Sequence, residues 1–210
     1  MKELAELVGI IIGDGNICYI SKIRKYYVEI TGNPKNEHEF YKHISGLFMK
    51  VMGKPGIIFT RQRGLHIRVN NKKFVEYLIN DLGMCYGKYK FARITIPEKI
   101  ILEGKEATYL CLRGIFDTDG TFFTSKKDGK IYPSIEIVTC SRKLAIQIYE
   151  ILIKDFRVRM RWKDCEDYTF KRCYVVSLYG LEQVCLWFDL IGSSNPAKRL
   201  KYESFIKNLK

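Results

Sequence analysis

The 210-residue sequence lacks the features that mark several large classes of protein. Its seven cysteines are odd in number and include no CxxC pair, which argues against a disulfide framework or zinc knuckle and favours reduced thiols. No apolar run is long enough to cross a bilayer. Glu3 and Glu6 interrupt the apolar N-terminus, which has no small-residue cleavage site, so we expect no secretory signal. These absences favour a cytoplasmic or other intracellular protein.

Positive charge is abundant, on a chain that is apolar enough to fold. Hydrophobic residues make up 47% and aromatic residues 13%, which supports a real core and excludes general disorder. The 36 lysines and arginines outnumber the 23 acids and give a net charge of +13. Such an excess predicts a polyanionic partner, nucleic acid first, and the alternative is a merely solubilising surface charge.

The chain contains two similar nine-residue segments. Residues 7–15 read LVGIIIGDG and residues 112–120 read LRGIFDTDG. Their aspartates, Asp14 and Asp119, lie 105 residues apart, which is half the length of the chain. The sequence therefore predicts a duplicated unit, with each half opening on the same segment.

Helical and strand-like patterns follow both segments in the same order, which predicts the α+β class. Each half is expected to run helix–strand–strand–helix–strand–strand–helix. In the first half we expect strands at 16–22, 25–31, 57–63 and 65–70, and helices at 36–52 and 72–82. In the second we expect strands at 121–125, 132–139, 157–163 and 169–179, an Asp128-Gly129 hairpin turn, and helices at 142–154 and 181–191. The expected domains are 1–84, a connection at 85–104, 105–194, and a basic C-terminal helix at 195–210.

Each repeated segment predicts an apolar helix that ends at Asp-Gly, with the glycine in the left-handed position that follows many helices. Small residues recur four apart on one side of each helix, which lets two helix backbones pack closely. They are Gly9 and Gly13 in the first segment, and Gly114 and Thr118 in the second. If the two helices pair, Asp14 and Asp119 emerge side by side.

Two carboxylates at the ends of paired helices are electrostatically unfavourable. The C-terminal end of a helix carries partial negative charge, and neighbouring carboxylates repel each other. A divalent cation such as Mg²⁺, which prefers oxygen ligands, would remove both penalties. The alternative is two ordinary Asp-Gly helix ends, and the occurrence of both in a duplicated chain favours the functional interpretation.

These segments resemble the two motifs of the LAGLIDADG family of homing endonucleases, in its monomeric double-motif type. The resemblance implies two pseudo-symmetric αββαββα halves, antiparallel sheets that form a DNA-binding saddle, and motif helices at the interface. In the family the eighth motif position carries the catalytic, metal-binding acid, here Asp14 and Asp119. The preceding residue lends a backbone carbonyl, here Gly13 and Thr118. The sixth position holds Ile12 and Asp117, and we do not expect Asp117 to be catalytic.

The resemblance implies a site-specific endonuclease that hydrolyses both strands of a long double-stranded DNA target. Mg²⁺ is the expected metal, with Mn²⁺ as the alternative, and the gene would belong to a mobile element such as an intron. A bound cation makes water a better nucleophile, and basic side chains neutralise charge on the phosphate. Basic and polar residues near the metals in the family point to Asn33, Lys35, Ser141, Arg142 and Lys143 here.

Alternating strand patterns indicate surfaces that could bind DNA, because a β-ribbon fits the major groove. Arg157, Arg159, Arg161 and Lys163 share one face of a strand whose other face, Val158, Met160 and Trp162, is expected to be half-buried. The same reasoning selects Arg61, Arg63, His66, Arg68 and Asn70. The hairpin tips add Lys22, Arg24, Lys25, Lys126 and Lys127, which are expected to grip phosphates. The alternative is the solvated face of an ordinary sheet.

Three other functions fit the same scaffold. An intron-RNA-binding maturase needs the basic surface but not the acids, and a non-cleaving DNA-binding regulator would have lost them. The retained Asp14 and Asp119 favour cleavage. An intein-embedded enzyme is not expected, because we find no splicing-domain cysteine or His-Asn end and the first motif lies close to Met1. The basic residues of the tail are expected to contact backbone phosphates or to solubilise an amphipathic helix; they are Lys198, Arg199, Lys201 and Lys207.

Overall fold

The computed structural model describes residues 1–87, 93–164 and 172–209. These residues form two four-stranded antiparallel sheets and eight helices, which confirms the predicted α+β class. The start of the last predicted strand, at residue 169, lies outside the described residues.

The first half of the chain follows the predicted order of elements. The helices are α1 (Lys2–Gly13), α2 (His38–Met52) and α3 (Lys72–Glu76), and α3 continues as a π-helical turn, Tyr77–Asp81. The strands are β1 (Gly15–Ile20), β2 (Lys25–Gly32), β3 (Ile57–Arg61) and β4 (Gly64–Val69), which form a sheet in the order β1-β2-β4-β3. A single 3₁₀ turn, Ser21–Ile23, joins β1 to β2.

The second half repeats this arrangement after a short extra helix in the connection, α4 (Glu98–Leu102). Its helices are α5 (Lys105–Asp119), α6 (Arg142–Leu152) and α7 (Leu181–Leu190). Its strands are β5 (Gly120–Lys127), β6 (Lys130–Thr139), β7 (Val158–Asp164) and β8 (Arg172–Tyr179), in the order β5-β6-β8-β7. Asp128 and Gly129 form the predicted turn, both with positive φ. The C-terminal helix α8 spans Pro196–Lys207.

Helices cover one face of each sheet. In the first sheet the partners Ile17 and Val28, and Ile30 and Ile67, point into the core together because paired residues share a face. In the second, Phe122 pairs with Ile135 and likewise points into the core. We call the opposite side of each sheet its open face. None of the helices in the described ranges is long and apolar enough to cross a membrane.

The glycines after the two motif helices correct one expectation. Neither Gly15 nor Gly120 has a positive φ, so the predicted left-handed helix end was wrong at both positions. The chain instead turns straight from helix to strand. A Cβ at Gly15 would lie 2.5 Å from Ile11 Cα, and one at Gly120 would lie 2.7 Å from Phe116 O. Both positions require glycine because the strand crosses back over the last helical turn.

Candidate functional site

The two motif helices, α1 and α5, pack side by side through their small residues. A Cβ at Gly9 would lie 2.9 Å from the carbonyl carbon of Cys111, and one at Gly114 would lie 2.7 Å from Ile10 N. Nearer the C-terminal ends, a Cβ at Gly13 would lie 2.7 Å from Thr118 Cβ. The backbones therefore approach closely along the interface, and the helices run in the same direction.

This packing brings the two motif acids to the same end of the helix pair. Asp14 follows α1 directly, and its carbonyl accepts a hydrogen bond from Thr31 N–H at 3.3 Å. Asp119 is the last residue of α5. Its carboxyl carbon lies 3.3 Å from the position that a Cβ of Gly13 would take, so the second acid sits against the end of the first helix. Because β1 and β5 begin immediately after the acids, each acid lies at the start of an open face.

The chemistry of this end suits a hard divalent cation. The candidate metal ligands are the carboxylates of Asp14 and Asp119 and the main-chain carbonyls at the two helix ends, all of them oxygens of the type that Mg²⁺ prefers. Neither motif helix has a basic residue in its last turn to offset the partial negative charge there. The residues present therefore fit the metal that the resemblance implies.

A basic residue of the C-terminal helix reaches the same end of the motif helices. Lys198, in the first turn of α8, donates hydrogen bonds to the main-chain carbonyls of Phe116 and Gly120, the latter at 2.6 Å. Burial lowers the pKa of Lys198, while nearby carboxylates, including Asp14 and Asp119, act in the opposite direction. Its ammonium group therefore supplies positive charge where α5 and the two acids concentrate negative charge.

Asp14 also has a tyrosine and a third carboxylate near it. Tyr41 is buried, and among the described residues its hydroxyl has no hydrogen-bond partner. Burial raises the pKa of Tyr41, and the negative charges of Glu37 and Asp14 raise it further. Glu37 accepts a hydrogen bond from Asn33 N–H at 2.5 Å. The loop after β2 is thereby held close to the first acid.

The five predicted basic or polar residues lie in different places. Asn33 and Lys35 are exposed on the loop after β2, where Asn33 Oδ1 accepts a hydrogen bond from Lys35 N–H at 2.9 Å. Arg142 and Lys143 are exposed in the first turn of α6. Ser141 is fully buried: its hydroxyl caps α6 by accepting from Leu144 N–H and donates to Ile94 O at 2.7 Å. The hydroxyl of Ser141 is therefore committed to holding the fold.

The open face of the first sheet carries arginines around a buried glutamate. Glu29 accepts hydrogen bonds from Arg68 Nε at 2.5 Å and from Arg61 at 3.2 Å, with its side chain only 9% exposed. The guanidinium of Arg68 also lies 4.4 Å from the ring centre of Tyr27. Glu29 pairs across the strands with Asn16, two residues after Asp14. These arginines are held at a defined place close to the acid.

His66 lies on this open face as predicted, but it is only 6% exposed. Its Nδ1 lies 3.1 Å from Thr31 Oγ1, and its Nε2 lies 3.1 Å from Arg61 O. Both ring nitrogens of His66 are therefore engaged beneath the surface. Arg63 and Asn70 are exposed, and Arg63 has a positive φ in the β3–β4 turn.

The second sheet has a similar arrangement. Glu136 pairs across the strands with Thr121, two residues after Asp119, as Glu29 pairs with Asn16. Its Oε1 accepts hydrogen bonds from Arg161 at 3.0 Å, Ser177 at 3.2 Å and Tyr179 at 3.2 Å.

The predicted basic residues of β7 are exposed on the open side of the strand: Arg159, Arg161 and Lys163. Arg157 precedes β7 and forms an ion pair with Glu182.

The other side of β7 corrects a second expectation. Met160 is 41% exposed and Trp162 is 55% exposed, so the predicted half-buried face was wrong for both residues. β7 lies at the edge of its sheet, where the helices give little cover. Trp162 instead has the guanidinium of Arg172 4.3 Å from its ring centre.

The residues predicted at the hairpin tips are all exposed: Lys22, Arg24, Lys25, Lys126 and Lys127.

Comparison with known proteins agrees with the fold and the repeated motif. Residues 107–192 match the LAGLIDADG-like domain family. The chain as a whole has the two-domain fold of LAGLIDADG homing endonucleases. This confirms the resemblance drawn from the two motifs.

Particular solved structures share this fold over nearly the whole chain. The homing endonuclease I-DmoI, in complex with DNA and Ca, superposes with a TM-score of 0.65 at 19% identity and covers 97% of each chain. I-WcaI bound to its DNA recognition sequence gives 0.61 at 15% identity, with 95% of this chain and 85% of that chain covered. Full-length DUF199/WhiA from Thermatoga maritima gives 0.58 at 13% identity, with 100% and 61% covered.

A curated sequence relative matches this chain over only a small part of its own length. The replication factor C small subunit of Methanocaldococcus jannaschii is 29% identical over 208 residues, which are 99% of this chain and 10% of that protein. The chain thus spans about a tenth of the curated relative that it matches.

Proposed function

We propose that this protein is a metal-dependent homing endonuclease that cleaves both strands of a long DNA site. The observation that carries the proposal is the placement of Asp14 and Asp119 together at the ends of two closely packed helices, each at the start of a sheet with a basic open face. I-DmoI and I-WcaI, which share the fold, form complexes with DNA, and I-DmoI complexes contain Mn or Ca.

The chain's own residues divide the work. Asp14 and Asp119, with the main-chain carbonyls of Gly13 and Thr118, would hold Mg²⁺ or Mn²⁺. The bound cation supplies Lewis acidity and a more acidic water for attack on the phosphodiester. Lys198 places an ammonium group beside the acids, where it can offset negative charge on the phosphate. The exposed basic residues of the open faces hold the duplex through its phosphates and base edges.

The assignment predicts that Asp14→Asn or Asp119→Asn lowers cleavage more than about 100-fold, because metal catalysis contributes several kcal/mol. DNA binding should change little, since the basic faces remain intact. Asp81→Asn is the matched control: it removes an exposed carboxylate that pairs with Lys99 at 3.8 Å, and such pairs contribute little. Mutant cleavage at the wild-type rate would contradict the assignment of the acids.

The experiment that tests the function is incubation of the purified protein and Mg²⁺ with a randomised duplex library, followed by sequencing of new ends. EDTA and Asp14→Asn serve as controls. We expect cuts at one long site in the wild-type reaction alone. DNA binding that is sensitive to salt but produces no cuts would favour the non-cleaving regulator. The DNA complexes of I-DmoI and I-WcaI lend no support to intron RNA as a partner.

A further inference from the structure

Asp117, at the sixth position of the second motif, is a carboxylate placed inside the packed core. It is 1% exposed, and burial raises its pKa to about 6, although Ser193, Ser194 and Lys198 act in the opposite direction. Burying a charge is unfavourable unless it is fully hydrogen-bonded. The equivalent residue of the first motif is Ile12, also buried, which has no such penalty. The second half therefore carries a charged group where an apolar one is possible.

Asp117 has hydrogen-bond partners on the segment that leads into α8. Its two carboxylate oxygens accept from the hydroxyl of Ser193 and from Ser194 N–H at 2.7 Å. Its main-chain carbonyl accepts from Asn195 Nδ2 at 3.4 Å. The carboxylate bonds to Ser193 and Ser194, together with the main-chain bond to Asn195, fix the position of these three residues relative to α5.

The same three residues set where α8 begins. Asn195 is the N-cap: its Oδ1 accepts from Ala197 N–H at 3.1 Å, and Pro196 occupies the first turn. Ser193 Oγ additionally accepts from Asn195 N–H at 3.1 Å. Lys198 follows in the first turn and reaches the carbonyls of Phe116 and Gly120. Lys198 therefore lies within one helical turn of the clamped segment.

We propose that Asp117 is a positioning residue: by clamping residues 193–195, it holds Lys198 at the C-terminal end of α5, beside the two acids. The proposal rests on the proposed endonuclease function and deepens it. Because Ile12 cannot make these bonds, the clamp serves one half of the molecule. Loosening it should slow the cutting of one strand more than the other, so that nicked DNA accumulates.

A double-mutant cycle with Lys198→Met tests this. We expect Asp117→Ile, which copies the first motif, to lower single-turnover cleavage about 10- to 100-fold, as loss of a residue that orients an active-site group does. Its effect on DNA affinity should be small. In the Lys198→Met background Asp117→Ile should cost nothing further, because both changes remove the same interaction. An equal loss in both backgrounds would overturn the proposal.

Two further variants serve as controls for folding and for the net charge of α8. If Asp117→Ile does not fold, Ser193→Ala replaces it, because it removes one bond of the clamp without changing the motif helix. It should lower cleavage of one strand more than of the other, as Asp117→Ile should. Lys201→Met removes the same charge from an exposed position of α8, where the ammonium group lies 5.9 Å from the ring centre of Phe122 in β5, so the single-turnover rate should be unchanged. An equal loss of single-turnover rate with Lys201→Met would mean that only the net charge of α8 matters.

Amide hydrogen exchange separates failure of the clamp from failure of the proposed function. In the DNA-free protein, the N–H groups of Ser194 and Asn195 should be protected, and Asp117→Ile should speed their exchange at least about 10-fold while α1 is unaffected. Unchanged protection would overturn the clamp whatever the enzyme does to DNA. Faster exchange in a protein that never cleaves would leave the clamp standing and would reject the endonuclease.

Discussion

Glu6 is a second buried carboxylate on a motif helix, and its partners come from three elements. His43 of α2 lies 2.7 Å from its Oε1. Burial raises the pKa of Glu6, but the hydrogen bonds from His43 and Ser194, with the positive charges of His43 and Arg113, hold the pKa below its usual value. Asp117 is the carboxylate that faces it. Glu6 thus links the first half of the chain to the segment before α8.

This linkage predicts a pH-dependent loss of stability. Since the pKa of Glu6 is lower in the folded chain than its ordinary value of 4.5, its contribution is full above pH 4.5 and is lost as the pH falls through the folded pKa. Glu6→Gln should cost roughly 1–3 kcal/mol at pH 7 and progressively less in acid. Urea unfolding of both proteins from pH 7 to pH 3 measures this, and a difference that does not depend on pH would contradict it.

The residues of the site differ in how far the sequence could predict them. The repeated spacing was enough to select Asp14 and Asp119. Lys198 could be recognised as basic, and the Asn195-Pro196 pair marks the start of a helix, yet neither shows where the side chain points. That direction depends on bonds to Phe116 and Gly120, 82 and 78 positions earlier in the chain. The burial of His66 and Ser141 could not be predicted for the same reason, since their partners are set by strand pairing and by the connection between the halves.

At the scale of elements, the α1–α5 contact depends on the absence of side chains. A Cβ at Gly9 or Gly114 would press against the backbone of the partner helix, which cannot move without separating the helices. Any separation would also move the two acids apart. The glycines therefore link the stability of the interface to the geometry of the site.

Gly9→Ala and Gly114→Ala should each lower the free energy of unfolding by about 1–3 kcal/mol, as overpacking does. Gly46→Ala is the matched control: Gly46 lies inside α2, where an added Cβ meets nothing within 4 Å. There alanine should stabilise by about 0.5–1 kcal/mol through its higher helix propensity. The measurement is the urea midpoint of each variant, compared at an unchanged dependence of the unfolding free energy on urea concentration. Equal shifts of the midpoint in all three variants would mean that only helix propensity is measured.

The order and kind of the elements could be predicted because hydrophobic periodicity is local. Coverage of an element is not local, and β7 illustrates the difference. Its alternation is clear in the sequence, but only the sheet order shows that it lies at an edge, with Met160 and Trp162 left exposed. The close helix-to-strand turns at Gly15 and Gly120 were missed because a glycine is equally compatible with a left-handed helix end.

At the scale of the whole molecule, the net charge of +13 does not by itself show which surface binds DNA. If the open faces hold DNA, replacing Arg159 and Arg161 with alanine should weaken binding and flatten the slope of log K against log salt by up to about 2. Lys42→Ala with Lys50→Ala removes the same charge from α2, which covers the other face of its sheet, and should leave the slope nearly unchanged. Equal slopes for both double variants would remove β7 from the interface.

The edge position of β7 has a second consequence, for the behaviour of the protein without DNA. In the described part of the chain β7 pairs only with β8, so its other side presents main-chain groups that could pair with another copy. Arg159, Arg161 and Lys163 make such an approach repulsive. The charges that would bind DNA thus also oppose aggregation of the free protein. Variants that lack them should show increased light scattering at concentrations where the wild-type protein remains monodisperse.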